Sequence, residues 1–428
     1  MRQGIATRHA ANRPPSVAAG QSQSEKFGDS PRITPPQITR LTIILGLVMA
    51  IGPLAIDMYL PAMPALESEF ATSAARVQHT LSAYLLGLAV GQLFFGPIAD
   101  RYGRKPALIG GLVVFALAST GCAVAGTIDH FVALRVAQAL GGASGMVVIR
   151  AVIRDAFDEL QSARVLSLMM LVMGAAPILA PLGGGWLLVR GSWHLIFWFL
   201  VAFSVLCAFL VSFFLAETHP VHRRTGSLWH ALVGVLPLFR DVRFLGPVVV
   251  FVAAFGSFFA YLAAAPFVYI QYFRVPADEF GWYFGAGALS FIAVAQLNRR
   301  LVTHHGVRRV LGWGVKALAG SAAVLLVCAL TGLAGFPGVF VPIFVLVGSI
   351  GLIASNATSI AMAPFGERAG GAASLLGSAQ SAFGVAASAA VGWVGGQGAV
   401  PMAIVVFGCA AAAFIAYALV VARQRPSS

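Results

Sequence analysis

The chain has 428 residues, of which 59% are hydrophobic and only 10% are charged, and its formal net charge is +13. A soluble domain carries roughly 25% charged residues, so this chain lacks the charge that a soluble surface needs. The composition excludes a soluble globular protein, a disordered chain and a disulfide-rich secreted domain. All 4 cysteines lie in apolar runs, where we expect them to pack as small hydrophobic residues and not to form disulfides or bind metal.

Twelve apolar runs are long enough to cross a bilayer as helices. A helix needs about 20 mostly apolar residues to span the hydrocarbon core. A β-barrel strand would be about 10 residues of alternating polarity, which is not the pattern here. The sequence therefore predicts an all-α membrane protein with twelve transmembrane helices. The predicted spans are 41–63, 78–98, 107–126, 130–152, 163–189, 193–216, 246–272, 280–298, 310–332, 337–361, 370–394 and 400–422.

The longest polar stretch inside the chain, at 217–245, separates six predicted spans from six others. Two parallel six-helix halves are typical of one large transporter fold. We therefore predict two pseudo-symmetric halves, at 41–216 and 246–422, joined by a cytoplasmic loop. Residues 1–40, rich in Pro, Ser and Arg, are expected to form a disordered cytoplasmic tail and not a signal peptide, and 423–428 a second cytoplasmic tail.

The basic residues are distributed unequally between the two sides of the predicted bundle. With the N-terminus inside, 23 of the 28 Lys and Arg residues fall on the cytoplasmic side and only three in the outer loops. This bias is typical of cytoplasmic segments. It predicts a multi-pass membrane protein with both termini in the cytoplasm. No soluble basic module is present to bind nucleic acid, and the adjacent His304 and His305 give no metal-site geometry.

The loop between the second and third spans reads GPIADRYGRKP. Gly103 suits a tight turn, Asp100 is expected near the third helix N-terminus, and Arg104 can pair with Asp155 at the end of the fourth helix. The loop resembles the signature between the second and third helices of the major facilitator superfamily, which implies a gating role. The alternative is a charged loop that only sets topology. A similar Gly followed by paired basic residues occurs at 301–310 in the second half. In the loop between the second and third spans, the residues that match the superfamily signature are Gly96, Asp100, Arg101, Gly103, Arg104 and Lys105.

Asp57 and Arg135 are ionisable residues inside predicted spans, where an unpaired charge is costly. Asp57 lies late in the first span and Arg135 early in the fourth, at similar depths by helical rise. We expect the two side chains to face one cavity, to interact in at least one state and to couple transport to protons. The alternatives are a packing or capping role for Asp57 and an interfacial position for Arg135.

The fifth span contains two prolines and a run of glycines, which disturb a helix and flatten one of its faces. It resembles the antiporter motif of drug-efflux members of the same superfamily, although alanines replace two of the motif's glycines. An ordinary kinked helix is the alternative. The residues that match are Pro177, Pro181, Gly183 and Gly184.

The first span ends in IDMYLPAMP and the fourth in RAVIRD, and 370–380 reads GGAASLLGSAQ. These segments resemble the bicyclomycin and chloramphenicol resistance (Bcr/CflA) multidrug efflux family. The resemblance implies monomeric, cofactor-free export of small, partly apolar drugs across the bacterial inner membrane in exchange for protons, by alternating access. The alternative is a transporter of a natural metabolite, such as a sugar or amino-acid derivative. An enzyme is not expected, because the sequence has no cluster of catalytic residues at the predicted helix ends. Residues expected to line the substrate cavity are Tyr59, Gln138, Tyr269, Gln271 and Asn356.

Overall fold

The computed structural model describes residues 35–219, 242–363, 369–396 and 398–421. These ranges contain twelve helices long and apolar enough to cross a membrane, which confirms the predicted all-α class and the number of spans. No strand occurs in the same ranges. The helices are α1 Pro35–Asp57, α2 Ala74–Tyr102, α3 Arg104–Ala123, α4 Ile128–Ala156, α5 Glu159–Arg190, α6 His194–Phe214, α7 Val242–Pro266, α8 Phe280–His305, α9 Val307–Thr331, α10 Gly335–Met362, α11 Ala369–Val394 and α12 Val400–Ala416.

The ends of several helices differ from the predicted spans. The α1 helix already begins at Pro35, inside the predicted tail, and α7 begins at Val242, inside the predicted central loop. The α2 helix extends four residues beyond its apolar run at each end, and α4 extends two residues at its start and four at its end. Their N-caps explain the extra length, because Ser73 Oγ accepts a hydrogen bond from the Arg76 amide and Thr127 Oγ1 accepts one from the His130 amide. The residues 1–34, 220–241 and 422–428 lie outside the described ranges.

The α1 helix breaks within the predicted first span. It ends at Asp57 and is followed by a 3₁₀ turn, Leu60–Ala62, and by a short helix, Met63–Glu69. Proline causes the break: Pro61 has no amide hydrogen to donate to the Asp57 carbonyl, and its ring crowds that carbonyl. The carboxyl group of Asp57 therefore lies at a helix end inside the membrane-spanning part of the chain.

Within the compact unit 42–428, the N-terminal half (α1–α6) meets the C-terminal half (α7–α12) mainly through α2 against α11 and α5 against α8. We call the face that carries the Asp100–Lys105 turn the motif face and the opposite one the distal face. At the distal face Gln271 Nε2 donates to Glu67 Oε2 of the other half, at 2.7 Å. Further in, the hydroxyls of Ser82 and Ser388 are 2.7 Å apart. The ion pairs formed between two described residues all lie within the N-terminal half.

The turns after α2 and α8 support the predicted repeat between the halves. Gly103 and Gly306 both have positive φ, 103° and 78°, and each begins the following helix. L-residues with a side chain rarely adopt this conformation, so glycine is required at both turns.

Candidate functional site

Asp57 lies at the end of α1 with 6% of its surface exposed. Its side chain forms no hydrogen bond or ion pair with any described residue. The carboxyl group lies within electrostatic range of a tyrosine from each half, Tyr84 of α2 and Tyr261 of α7. A buried carboxyl without a charged partner is costly in an apolar environment and is typical of a proton or cation site.

Arg135 of α4 is completely buried, so it does not extend to the membrane interface. Its guanidinium group lies between two tyrosine rings, 4.2 Å from the centroid of Tyr59 and 4.3 Å from that of Tyr84. The ring of Phe197 lies at 5.9 Å. Each ring presents its negative face to the cation, and such contacts strengthen when water is excluded.

Arg135 also holds the broken end of α1. Its Nη1 donates to the Ala55 carbonyl at 3.1 Å and to Gln138 Oε1 at 2.6 Å, and Gln138 Nε2 donates to Ser119 Oγ at 2.7 Å. The helix end leaves the Ala55 carbonyl without a regular partner, and a charged donor satisfies it well. The Nε and Nη2 atoms of Arg135 find no acceptor among the described residues.

The predicted contact between Asp57 and Arg135 is not an ion pair in this conformation. The two residues do lie at the same depth, because Arg135 contacts Ala55, two residues before Asp57. Tyr84 lies near both residues: its ring packs on Arg135, it is within electrostatic range of Asp57, and its hydroxyl has no hydrogen-bond partner among the described residues. Sequence reasoning missed Tyr84; its only signal was a phenol in an otherwise apolar part of α2.

The Pro- and Gly-rich part of α5 packs against the break in α1. A Cβ atom added to Gly184 would overlap the carbonyl oxygen of Met58, the residue after Asp57. One added to Gly183 would make only an ordinary contact, 3.8 Å from Met58 Cε. Gly185 faces the other half, where its added Cβ would lie 2.6 Å from the Ala277 carbonyl oxygen. Consecutive glycines thus let α5 approach both the α1 break beside Asp57 and the C-terminal half. The predicted prolines, Pro177 and Pro181, lie inside the same helix.

At the motif face Arg104 forms the centre of an ion-pair cluster. Its side chain is 3% exposed, and it donates to Asp100 Oδ1 at 2.6 Å and to Asp155 Oδ2 at 3.0 Å. The pairing with Asp155 agrees with the sequence expectation. Arg101 lies exposed beside this cluster, and Gly96 lies inside α2.

Glu217, which follows α6, was missed by the sequence analysis. Its Oε1 accepts the Arg104 amide at 2.9 Å and its Oε2 accepts the Lys105 amide at 3.2 Å. A carboxylate at a helix N-terminus satisfies free amides and the helix dipole. Asp100 was expected in this position, but it belongs to α2 and binds the Arg104 side chain instead. Lys105 Nζ donates to the Ser212 carbonyl at 2.7 Å, so this cluster joins α2, α3, α4 and α6.

Two of the residues expected to line a substrate cavity, Tyr59 and Gln138, contact Arg135. Tyr59 and Gln138 are fully buried, and Tyr59 Oη lies 3.0 Å from Thr80 Oγ1. Their polar atoms are therefore bound by protein groups in this conformation.

The other three lie in the C-terminal half. Tyr269 is buried against Phe336, with ring centroids 5.2 Å apart. Asn356 is buried and joins α10 to α8, donating to Asn298 Oδ1 at 2.7 Å. Gln271 is exposed at the distal face, where it binds Glu67.

Comparison with known proteins identifies the family. The sequence model of the Major Facilitator Superfamily matches residues 45–272, more than half of the chain. The chain belongs to this superfamily. It is 32% identical over 386 residues to a bicyclomycin resistance protein homolog of Haemophilus influenzae, covering 90% of this chain and 97% of the relative. A chloramphenicol resistance protein of Pseudomonas aeruginosa is 31% identical over 322 residues, 74% of each chain. These relatives confirm the resemblance to the Bcr/CflA family.

Solved structures confirm the fold. The xylose transporter XylE from E. coli, described as partially occluded and inward open, gives a TM-score of 0.71 at 13% identity, covering 91% of this chain and 98% of its own. The human organic anion transporter MFSD10 gives 0.66 at 17% identity, covering 90% and 100%. The protein is therefore a multi-pass membrane transporter of the major facilitator fold, and its family is not one of enzymes.

Proposed function

We propose that this transporter exports small, partly apolar antimicrobial compounds across the bacterial inner membrane in exchange for protons. The observation that carries the proposal is Asp57. It is a buried carboxyl group that pairs with no charged group among the described residues, at the break in α1. A group that binds one proton and is exposed to each side in turn can couple proton entry to export. The resistance proteins among its relatives support antibiotics as the substrate class.

The proposed orientation puts the motif face in the cytoplasm together with both termini. The unequal distribution of Lys and Arg supports it. In a variant without native cysteines, Arg101→Cys should resist a membrane-impermeant maleimide in intact cells, whereas Asp129→Cys at the distal face should react. Both positions are exposed, so local burial does not explain a difference. Reaction of Arg101→Cys from outside would overturn the orientation.

The coupling role is tested with Asp57→Asn, which keeps the shape of the side chain but cannot exchange a proton. Everted vesicles containing the parent protein should release protons from their interior when chloramphenicol or bicyclomycin is added outside. The variant should bind the compound and release none, and Asp57→Glu, the matched control, should retain part of the signal. Proton release and resistance equal to the parent in Asp57→Asn would refute the role of Asp57.

A further inference from the structure

A cavity of about 530 Å³ lies at the distal face, away from Asp57, between the end regions of α2, α7 and α11. Both halves form its walls: Glu67 and Gln78 come from the N-terminal half, and Gln271 and Tyr272 from the C-terminal half. Binding sites for small organic molecules have volumes of about 300–1,000 Å³. The cavity is therefore large enough for one compact organic molecule.

Among the wall residues that the structure describes, one carries a charged side chain, Glu67. Gln271 donates a hydrogen bond to one carboxylate oxygen, but an amide does not neutralise the charge. Glu67 forms no ion pair with any residue that the structure describes. A half-enclosed carboxylate next to apolar groups attracts a positive charge, because solvent screens the interaction less there than on an open surface.

The rest of the wall suits an apolar or aromatic body. Phe267, Val268 and Met402 contribute apolar surface, and the Tyr272 ring can face a cation. The segment that directly follows α7, Phe267–Tyr272, is a π-helix, a departure from regular geometry that is frequent at functional sites. Gly398 has φ of 73°, and a Cβ atom there would lie 3.0 Å from the Tyr272 ring, so a small residue is needed beside this ring.

We propose that this cavity binds a monovalent organic cation with an aromatic or branched apolar body, and that Glu67 is its counter-ion. The site is separate from Asp57 and does not depend on the direction of transport. Since both halves supply its walls, it exists in full only while the distal face is closed. A bound cation therefore stabilises the distal-closed conformation, because a ligand shifts an equilibrium toward the state that it binds better.

The test is calorimetric titration of benzyltrimethylammonium into the purified protein in lipid nanodiscs. The parent should bind one cation per chain, and Glu67→Gln should weaken the affinity at least tenfold. Asp278→Asn, the matched control, removes an exposed distal acid outside the cavity and should leave the affinity unchanged. Asp57→Asn should also leave it unchanged, which separates this site from the proposed proton site.

A second variant keeps the proposal testable if Glu67→Gln does not fold. Tyr272→Lys alters an exposed side chain and places a competing positive charge in the cavity, so it should abolish binding. The proposal is wrong if the parent does not bind the cation, if neither cavity variant weakens binding, or if Asp57→Asn weakens it as much as Glu67→Gln.

Discussion

Gly185 offers a direct way to shift the protein between its two conformations. It lies on α5 where this helix meets the turn before α8, across the boundary between the halves. Replacement with alanine would put a Cβ atom 2.6 Å from the Ala277 carbonyl oxygen and 3.0 Å from Asp278 Cα. Both neighbours are backbone atoms and cannot move away as the end of a side chain could. The clash therefore opposes closure of the distal face.

The size of the effect follows from the cost of overpacking, which is about 1–3 kcal/mol. A distal-open conformation separates α5 from this turn and removes the clash, so the cost falls on the distal-closed state alone. An energy difference of this size changes the ratio of two states by roughly 5–150-fold. Gly185→Ala should therefore shift the population strongly toward the distal-open state and slow transport, because the return to the closed state limits the cycle.

The assay is the distance between spin labels at Ser68→Cys and Leu333→Cys, measured by pulsed electron paramagnetic resonance in a variant without native cysteines. These positions lie in different halves at the distal face and are exposed. Gly185→Ala should add or increase a population at longer distance. Gly183→Ala is the matched control, because its Cβ would meet only Met58 Cε at 3.8 Å. If both variants give the parent's distances, the contact does not determine closure and the reasoning is wrong.

Three further predictions concern the N-terminal half. Gly184→Ala should lower the thermal stability of the purified protein by about 1–3 kcal/mol and impair transport, since its Cβ overlaps the Met58 carbonyl beside Asp57. A thermal stability equal to that of Gly183→Ala would contradict the packing argument. Arg104→Ala should abolish transport in vesicles at matched protein levels. Arg104→Lys should retain only part of the transport, because lysine cannot bind Asp100 and Asp155 with a planar group. Full transport by the alanine variant would exclude a gating role. Glu217→Gln should cost about 0.3–1 kcal/mol in a thermal unfolding assay, since it removes the negative charge at the α3 N-terminus, and no measurable loss would contradict that role.

The sequence predicted the elements of this fold well because their signals are local. A continuous apolar run of about 20 residues has few alternatives to a membrane helix. The turn at Gly103 and its counterpart at Gly306 were recognisable for the same reason, since residues other than glycine rarely adopt positive φ. The two prolines of LPAMP indicate the break after Asp57, but the long apolar run was interpreted as one continuous helix.

The partners of the functional residues were harder to predict, because they come from distant parts of the chain. Glu217 lies 113 residues from Arg104, and no local pattern joins a carboxylate after α6 to the start of α3. Tyr84 was missed in the same way, since an aromatic residue in a membrane helix usually only packs. Arg135 could be identified by its charge alone, but which groups surround it depended on how four helices meet.

The arrangement of these residues limits how proton affinity at Asp57 can change during transport. Asp57, Arg135 and Tyr84 all belong to the N-terminal half, and the Ala55 carbonyl and two tyrosine rings hold the guanidinium in place. If the halves move as rigid bodies, the separation between Asp57 and Arg135 stays the same in every state. The groups around Asp57 that do change are those of the C-terminal half, where Tyr261 is the polar neighbour, together with access to water. In the proposed mechanism, the opening and closing of the second half against the first therefore determines when Asp57 exchanges its proton, and the position of Arg135 relative to Asp57 stays constant.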